Sequence, residues 1–358
     1  MRLLLRLFGL DHELLSEDFE APELPEGWTR EIAAHLDRGP EAIVEARDGA
    51  LRLEVHPGDR VFPALARDVD VQGLDWVRVS ARMKTEAVDP EPAVYDNCNL
   101  YVRFDEGPVQ PLRVLIGDQP WTQLSRTYAV PPGARRMRVG LVLTMPGVAW
   151  FDDVKVEAVR PGWRSAARGR FVFHTLGRDR VSAGHQRRML EAAAEFEAFF
   201  GVSPERVDYW KYPDIPTKIE FTGIGGNGHA LGSAIHTIWP VERHELVHVY
   251  ANAWGPTTPL WGEGLAVWLS GDWLGKPVKE AAKAVLDRWV SIAELLDPYS
   301  FRACEDTLSY AIAGALVGWV LETRGQETLR VLYRGDDPTP VLGCDPEAID
   351  ALVRAWLD

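Results

Sequence analysis

The sequence contains little cysteine. Its 358 residues include three cysteines, Cys98, Cys304 and Cys344, which lie far apart along the chain. An odd number of widely spaced cysteines indicates neither a disulfide framework nor a zinc site built from cysteine pairs. We therefore expect a protein of a reducing compartment, which favours a cytoplasmic location.

Long apolar runs and an excess of positive charge are also absent. No run approaches the roughly 18 residues that a membrane span requires. Lysine and arginine total 39 against 53 acidic residues, which gives a net charge of −14 and argues against nucleic acid or anionic lipid as a partner. The opening MRLLLRLFGL is basic and leucine-rich like a secretory signal, but Arg6 interrupts the apolar run and Asp11 follows it directly. We expect no membrane span and no nucleic-acid partner.

Residues 17–160 alternate apolar and polar side chains in short runs broken by Gly, Pro and Asp, which is typical of strands. The clearest runs are residues 50–56, 76–84, 99–104, 111–117, 136–143 and 148–159. Many short strands with turn residues between them predict a two-sheet antiparallel sandwich. Within residues 76–84, Val77, Val79 and Ala81 share one face, which we expect to be the core face.

Two segments carry a resemblance. DFEAPELPEGW, at residues 18–28, and WFDDVKVEAV, at residues 150–159, resemble the opening and the last strand of galactose-binding-like jelly rolls, the fold of many carbohydrate-binding modules. The resemblance implies a jelly roll over residues 1–162 with a glycan or a protein as its ligand, or with a bracing role only. Trp28, Trp121 and Trp150 are candidates for stacking on a sugar, and core packing is the alternative for each.

The pattern changes after Pro161 and Gly162. Strands are expected at residues 171–176, 207–211, 218–222 and 233–239, and a helix at 185–200 that ends at Gly201. The remaining sequence has helical periodicity. We therefore predict a second, mostly helical α+β domain over residues 163–358.

Residues 244–248 read HELVH in a helical context. Residues four apart lie on one helix face, about 5–6 Å apart, so the imidazoles of His244 and His248 can bind one cation. Glu245 lies beside that face, where a carboxylate can take a proton from water during attack on a carbonyl. The alternative is a helix with two surface histidines or two histidines packed in the core.

A catalytic zinc ion normally has three protein ligands. Fourteen residues separate His248 from Glu263, which lies in the segment LWGEGLAVWLSG at the start of a second helix. This spacing allows the chain to reverse through Pro256 and Pro259 and return a carboxylate to the first helix. A glutamate stabilised by the helix dipole is the alternative.

HELVH followed by LWGEGLAVWL resembles the gluzincin zinc metallopeptidases of the MA clan, whose pattern is H-E-x-x-H, a spacer and E-G-[LIF]-A. The resemblance covers roughly residues 170–335. It implies that His244, His248 and Glu263 bind Zn²⁺ and that Glu245 is the general base. It also implies that Tyr310 steadies the oxyanion, with a tyrosine at the core edge as the alternative. The G-A-M-E-N aminopeptidase signature is missing, and Val267 stands where thermolysin-type enzymes have an aspartate.

The glycine-rich run GIGGNGHALGSAIHTIW precedes the histidine helix. It lacks both nucleotide-loop patterns, and it stands where gluzincins have an edge strand that binds the substrate backbone. His229 or His236 would line that cleft, although a structural role is the alternative for each.

The sequence as a whole predicts a zinc-dependent peptidase with an N-terminal jelly roll and a peptide or protein substrate. Two other interpretations stay open. In the first, the chain is a glycan- or protein-binding protein whose metallopeptidase domain is vestigial. In the second, it is a zinc hydrolase that acts on a non-protein amide. Because a jelly roll joined to a peptidase is more usual in exported proteins, secretion is the alternative to a cytoplasmic location.

Overall fold

The computed structural model describes residues 12–21, 23–32, 43–57, 63–89, 98–335 and 337–358. The chain forms two compact units, one of Met1–Trp163 with Asp214–Gly225 and one of Arg164–Pro213 with Gly226–Asp358. Each unit has its own hydrophobic core. Among the described residues, no helix combines the length and the apolar character needed to cross a membrane.

The first unit is a sandwich of two antiparallel sheets. Its strands are β1 (His12–Glu17), β2 (Thr29–Ile32), β3 (Ile43–Arg47), β4 (Ala50–Val55), β5 (Pro63–Asp70), β6 (Trp76–Val88), β7 (Cys98–Phe104), β8 (Gln110–Pro111), β9 (Gly117–Ala129), β10 (Arg136–Leu143) and β11 (Gly147–Ala158). One sheet has the order β3-β4-β11-β6-β9, with β1 paired to β11, and the other has the order β2-β5-β10-β7-β8. The predicted all-β sandwich is confirmed for the N-terminal region.

Strand alternation builds the core of this sandwich. On β6, Val77, Val79 and Ala81 are fully buried, while the intervening Arg78 and Ser80 are half-buried on the other face. The core also takes fully buried side chains from β7 and β10, namely Leu100, Val102, Val139 and Leu141. The predicted core face of residues 76–84 is therefore confirmed.

The strand predicted at residues 111–117 is wrong over most of its length, because β8 ends at Pro111 and β9 begins at Gly117. Between them, the Leu112 N–H donates to the Leu100 carbonyl at 2.6 Å, and the Leu115 N–H donates to the Cys98 carbonyl at 2.8 Å. The two donors are three residues apart in the chain, whereas their two acceptors on β7 are only two residues apart. Residues 112–115 therefore contain one more residue than the part of β7 that they pair with, and they form a bulge beside that strand.

The strand predicted at residues 218–222 is also wrong, because this segment belongs to a helix of the first unit, Ile215–Thr222. The Asp214 side chain caps it by accepting from the Thr217 N–H at 2.8 Å. Within that unit, Glu220 accepts from the Thr127 hydroxyl at 2.9 Å, and the Phe221 ring meets the Trp76 ring edge-on at 5.7 Å.

The second unit combines one sheet with many helices. Its strands are β12 (Trp163–Arg168), β13 (Phe171–Leu176), β14 (Val207–Lys211), β15 (Gly228–Leu231), β16 (Ala234–Thr237), β17 (Asp272–Trp273) and β18 (Lys276–Pro277). Its helices are α1 (Ala183–Phe200), α2 (Arg243–Ala251), α3 (Pro259–Ser270), α4 (Val278–Lys283), α5 (Ile292–Leu295), α6 (Pro298–Ala303), α7 (Asp306–Arg324), α8 (Gln326–Arg334), α9 (Thr339–Leu342) and α10 (Pro346–Leu357). Helix α1 ends at Gly201, whose φ is 67°, as expected for a C-terminal glycine.

The main sheet of this unit has the order β12-β13-β14-β16-β15. Strands β13, β14 and β16 are parallel, and β15 is antiparallel to β16 at the end of the sheet. Among the described strands, β15 is thus an edge strand, and it precedes the histidine helix α2 in the chain. An edge strand presents unpaired backbone groups on its open side.

Helices α3 and α7 approach each other closely. A Cβ atom on Gly264 of α3 would lie 2.5 Å from the Ala313 carbonyl oxygen of α7, and one on Gly314 would lie 2.5 Å from a Val267 methyl group. Only glycine permits this separation at both positions. The contact fixes α3, which carries Glu263, against α7, which carries Tyr310.

Candidate metal centre

Helix α2 presents both predicted histidines to one point. His244 and His248 lie one turn apart, and their Nε2 atoms are 3.3 Å apart with the ring planes inclined at 73°. The opposite side of the helix is anchored in the core by the fully buried Leu246, Val247 and Tyr250. Burial of that side leaves the two imidazoles on the half-buried face, at 17% and 24% side-chain exposure.

Glu263 reaches the same point from helix α3. The chain leaves α2 through a 3-10 turn at Asn252–Trp254, and α3 then starts at Pro259, a residue suited to the first turn of a helix. Glu263 Oε2 lies 3.1 Å from His244 Nε2 and 3.3 Å from His248 Nε2. The structure thus brings all three predicted ligands together.

The spacing of these three atoms suits zinc. Ligands held at 2.0–2.1 Å by a tetrahedral zinc ion lie about 3.3–3.4 Å from one another, and the observed separations are 3.1, 3.3 and 3.3 Å. Two imidazole nitrogens and one carboxylate oxygen are also a donor set that zinc accepts. In the described part of the chain, no other group of three or more His, Cys, Asp or Glu side chains converges in this way.

The electrostatics of the cluster favour an ionised carboxylate. Burial alone would raise the pKa of Glu263, but hydrogen bonds from His244 and His248 outweigh it and hold that pKa well below its usual range. Burial alone would lower the pKa of His244, whereas its hydrogen bond to Glu263 and the charge of Glu245 raise it overall. Because a metal requires ionised carboxylates and neutral imidazoles, protons and metal compete for this site.

Glu245, the residue after His244, lies against the edge strand. A Cβ atom on Gly228 of β15 would lie 3.0 Å from Glu245 Cγ and 3.1 Å from Glu245 Oε1. The glycine therefore lets the strand backbone approach the carboxylate. A larger residue at this position would displace either the strand or the predicted general base.

A second glutamate beside Glu245 was not singled out by the sequence. Glu242 Oε2 accepts from the Thr237 hydroxyl at 2.9 Å, and burial together with the charge of Glu245 raises the pKa of Glu242. This residue connects the end of β16 to the start of α2. Its position three residues before Glu245 was the available signal, since residues three apart share a helix face.

Tyr310, predicted to steady an oxyanion, lies beside the cluster. Its ring centre is 6.2 Å from that of His244, and it stacks on Trp273 at 4.6 Å with 14° between the planes. Burial, followed by the charge of Glu263, raises the pKa of Tyr310 far above its usual value, so the hydroxyl keeps its proton. A protonated hydroxyl is the form that donates a hydrogen bond.

The two histidines of the glycine-rich run lie elsewhere. Gly228 faces Glu245, so the next residue, His229, and its partner in the register, His236, point to the opposite face of the sheet.

His229 and His236 belong to a row of stacked rings. The row crosses four adjacent strands as His229, His236, Trp210 and His174, with 12°, 7° and 13° between successive ring planes. At its inner end, His174 contacts the Ser165 hydroxyl at 2.7 Å and Asp208 at 2.8 Å. We call these four rings the ring ladder.

The three candidate tryptophans of the sandwich differ in exposure. Trp28 is buried in the core, and its indole N–H donates to Glu17 at 3.2 Å. Trp121 is 39% exposed, with the Arg82 guanidinium 4.9 Å from its ring centre. Trp150 is half-buried beneath the ammonium of Lys84 at 4.4 Å. The structure therefore leaves Trp121 as the exposed ring of the three.

No protein-family model and no curated protein sequence matches this chain. Solved structures resemble its sandwich region. A family 4 carbohydrate-binding module is 14% identical over 39% of this chain and 96% of its own, with a TM-score of 0.29. The family 22 xylan-binding domain from Paenibacillus barcinonensis is 17% identical over 42% of this chain and 96% of its own, with a TM-score of 0.27.

A third similar structure is tailspike protein 4 of bacteriophage CBA120, at 14% identity and a TM-score of 0.25. That match covers 37% of this chain and 19% of the tailspike chain. The N-terminal region thus resembles the jelly rolls of carbohydrate-binding modules, and the likeness concerns the fold alone.

Proposed function

We propose that the chain is a zinc-dependent peptidase of the gluzincin type. The observation that supports this proposal most strongly is the triangle of His244, His248 and Glu263, whose atoms are spaced as the ligands of one tetrahedral zinc ion. Glu245 follows His244 in the chain and lies against Gly228 of β15. The Tyr310 ring lies 6.2 Å from the His244 ring, so a carboxylate and a hydroxyl are both available near the triangle as base and hydrogen-bond donor.

Each residue has a distinct role in this mechanism. Zinc, when bound, supplies a Lewis acid that polarises the scissile carbonyl and acidifies water. Glu245 accepts the proton of the attacking water and returns it to the leaving amine. The Tyr310 hydroxyl donates a hydrogen bond to the oxygen that becomes negative. Strand β15 offers its open edge to the extended backbone of the substrate.

The test of this function is the Glu245→Gln variant. It removes the base while keeping the shape of the side chain, so we expect unchanged zinc content and hydrolysis of peptides lower by about 10²- to 10⁴-fold. Glu191→Gln, an equal change at a 61% exposed position of α1, is the control and should leave both quantities unchanged. Equal turnover of Glu245→Gln and wild type would contradict the assigned mechanism.

A second function, glycan binding by the sandwich, is favoured by the exposed ring of Trp121. Aromatic rings are common platforms for apolar faces of ligands, and this ring lies at the protein surface. In this interpretation the metal centre is vestigial. Affinity electrophoresis of the full chain through gels that contain xylan or other soluble polysaccharides provides the test.

Retardation should disappear in Trp121→Ala and persist in Trp150→Ala, since the Trp121 ring is exposed whereas the Trp150 ring is half-buried. If wild type and Trp121→Ala migrate alike in every polysaccharide, this second function is wrong.

A further inference from the structure

A short hairpin follows the helix that carries Glu263. Helix α3 ends at Gly271, and β17 and β18 then pair through a turn at Leu274 and Gly275. These two residues have φ values of 52° and 78°. Two successive positive φ values are the signature of a type I′ turn, in which asparagine or aspartate usually precedes the glycine.

Leucine is an unfavourable residue for this turn. Its Cβ is strained at positive φ, and the side chain of Leu274 is 67% exposed to solvent. Neither the strain nor the exposed apolar surface stabilises the fold. Such a combination indicates a role in contact with another molecule.

The hairpin also places an aromatic ring beside the metal ligands. The Trp273 ring centre is 6.2 Å from that of His244 and stacks on Tyr310 at 4.6 Å. Tyr310 in turn packs on the buried Phe301 at 5.7 Å, which supports the stack from behind. Trp273 and Tyr310 remain half-buried and thus keep accessible surface. We call the stacked rings of Trp273 and Tyr310, together with the adjacent exposed turn residue Leu274, the aromatic wall.

We infer that the aromatic wall binds an apolar side chain of the peptide substrate, so that Trp273 and Leu274 set specificity for large apolar residues. The inference rests on the proposed function. Strand β15 contacts Glu245, the residue after His244. The ring centres of Trp273 and Tyr310 each lie 6.2 Å from that of His244, so the aromatic wall is also close to the proposed ligands. Because side chains of an extended peptide alternate in direction, the wall selects one residue close to the scissile bond and leaves its neighbours unselected.

The experiment measures binding, in the full chain loaded with zinc and carrying Glu245→Gln. Two capped pentapeptides serve as probes, one of five alanines and one with phenylalanine at its centre, and calorimetry gives their Kd values. We expect the phenylalanine peptide to bind about tenfold more tightly. Adding Trp273→Ala should abolish this preference, whereas adding Trp273→Phe, which keeps an aromatic ring, should retain most of it.

Leu274→Asn separates a binding role from a structural one. Asparagine tolerates positive φ, so the thermal midpoint should stay equal or rise, while the preference for phenylalanine falls about threefold. Equal Kd values for the two peptides, or a preference that survives Trp273→Ala, would overturn the inference. If the peptides bind as expected but zinc-loaded wild type cleaves neither of them nor any peptide of a library, the proposed function fails and the aromatic wall stands.

Discussion

The second unit contains two groups of histidines with opposite geometry. In the ring ladder, His229, His236 and His174 stack nearly parallel with Trp210 across the sheet. In the candidate metal centre, His244 and His248 are inclined at 73° and direct their Nε2 atoms to a shared carboxylate. The ladder histidines contact their neighbours through ring faces, whereas the ligand histidines meet at their nitrogens.

This difference shows what makes a histidine a metal ligand. Both nitrogens of His174 already have protein partners, Ser165 and Asp208. The Nε2 atoms of His244 and His248 converge instead on a single carboxylate oxygen, Glu263 Oε2, at 3.1 and 3.3 Å. Convergence of ring nitrogens, rather than proximity of rings, therefore identifies the candidate centre.

Removing a ligand histidine should have the largest effect. His248→Ala deletes one of three ligands, so we expect zinc to fall from about one to below about 0.1 per chain, with loss of hydrolysis. His236→Ala deletes a ladder ring instead and should leave zinc content near one. Elemental analysis after purification in zinc-containing buffer measures the zinc content of both variants. Equal zinc contents would contradict the distinction between ligand histidines and ladder histidines.

Removing a hydroxyl should have the next largest effect. Tyr310→Phe keeps the ring that stacks on Trp273 but loses the donor, so kcat should fall by about 10²- to 10³-fold with little change in KM. Tyr212→Phe is the matched change at the ladder, where the hydroxyl contacts His236 Nδ1 at 2.9 Å. It should leave kcat unaffected, and a kcat of Tyr310→Phe within threefold of wild type would exclude the assigned role.

The glycines on either side of Glu263 allow a smaller test. A methyl group on Gly264 would meet backbone of α7 at 2.5 Å, so Gly264→Ala should lower the free energy of unfolding by about 1–3 kcal/mol and weaken zinc binding. On Gly262 it would meet only a Thr257 methyl group at 3.0 Å, and Gly262→Ala should cost less. Chemical denaturation of both variants gives the comparison, and a reversed order would refute the packing argument.

The smallest expected effect concerns pH and the ladder. Burial lowers the pKa of His174, and the positive charge of Arg206 lowers it too. Together they outweigh the hydrogen bond and the negative charge of Asp208, which raise that pKa. The unfolded chain then binds the proton more readily, so His174 contributes a loss of stability as pH falls below about 6.5. His174→Phe should reduce the drop in thermal midpoint between pH 8 and pH 5. His56→Phe, at a 63% exposed side chain, is the control.

Local patterns were enough to predict the sandwich and the convergence of His244, His248 and Glu263. The alternation in residues 76–84 and the spacing of His244, His248 and Glu263 both depend on the geometry of one strand or one helix, which sequence periodicity records. The gluzincin assignment and the zinc ion itself stay proposals.

The features that the sequence did not predict have two causes, namely conflicting local patterns and tertiary packing. KIEFT, at residues 218–222, alternates like a strand, but Asp214 and Pro216 just before it favour a helix start, and the helix forms. The ring ladder requires the register of four strands, and the aromatic wall requires α3 and α7 to meet. Both are set by tertiary packing that no local pattern contains.

X-ray absorption at the zinc edge of the purified full chain tests the central claim most directly. We predict about one zinc per chain with two imidazole nitrogens and oxygen ligands at about 2.0–2.2 Å. Sulfur in the coordination shell at about 2.3 Å, or protein that stays free of zinc after purification in zinc-containing buffer, would contradict the account.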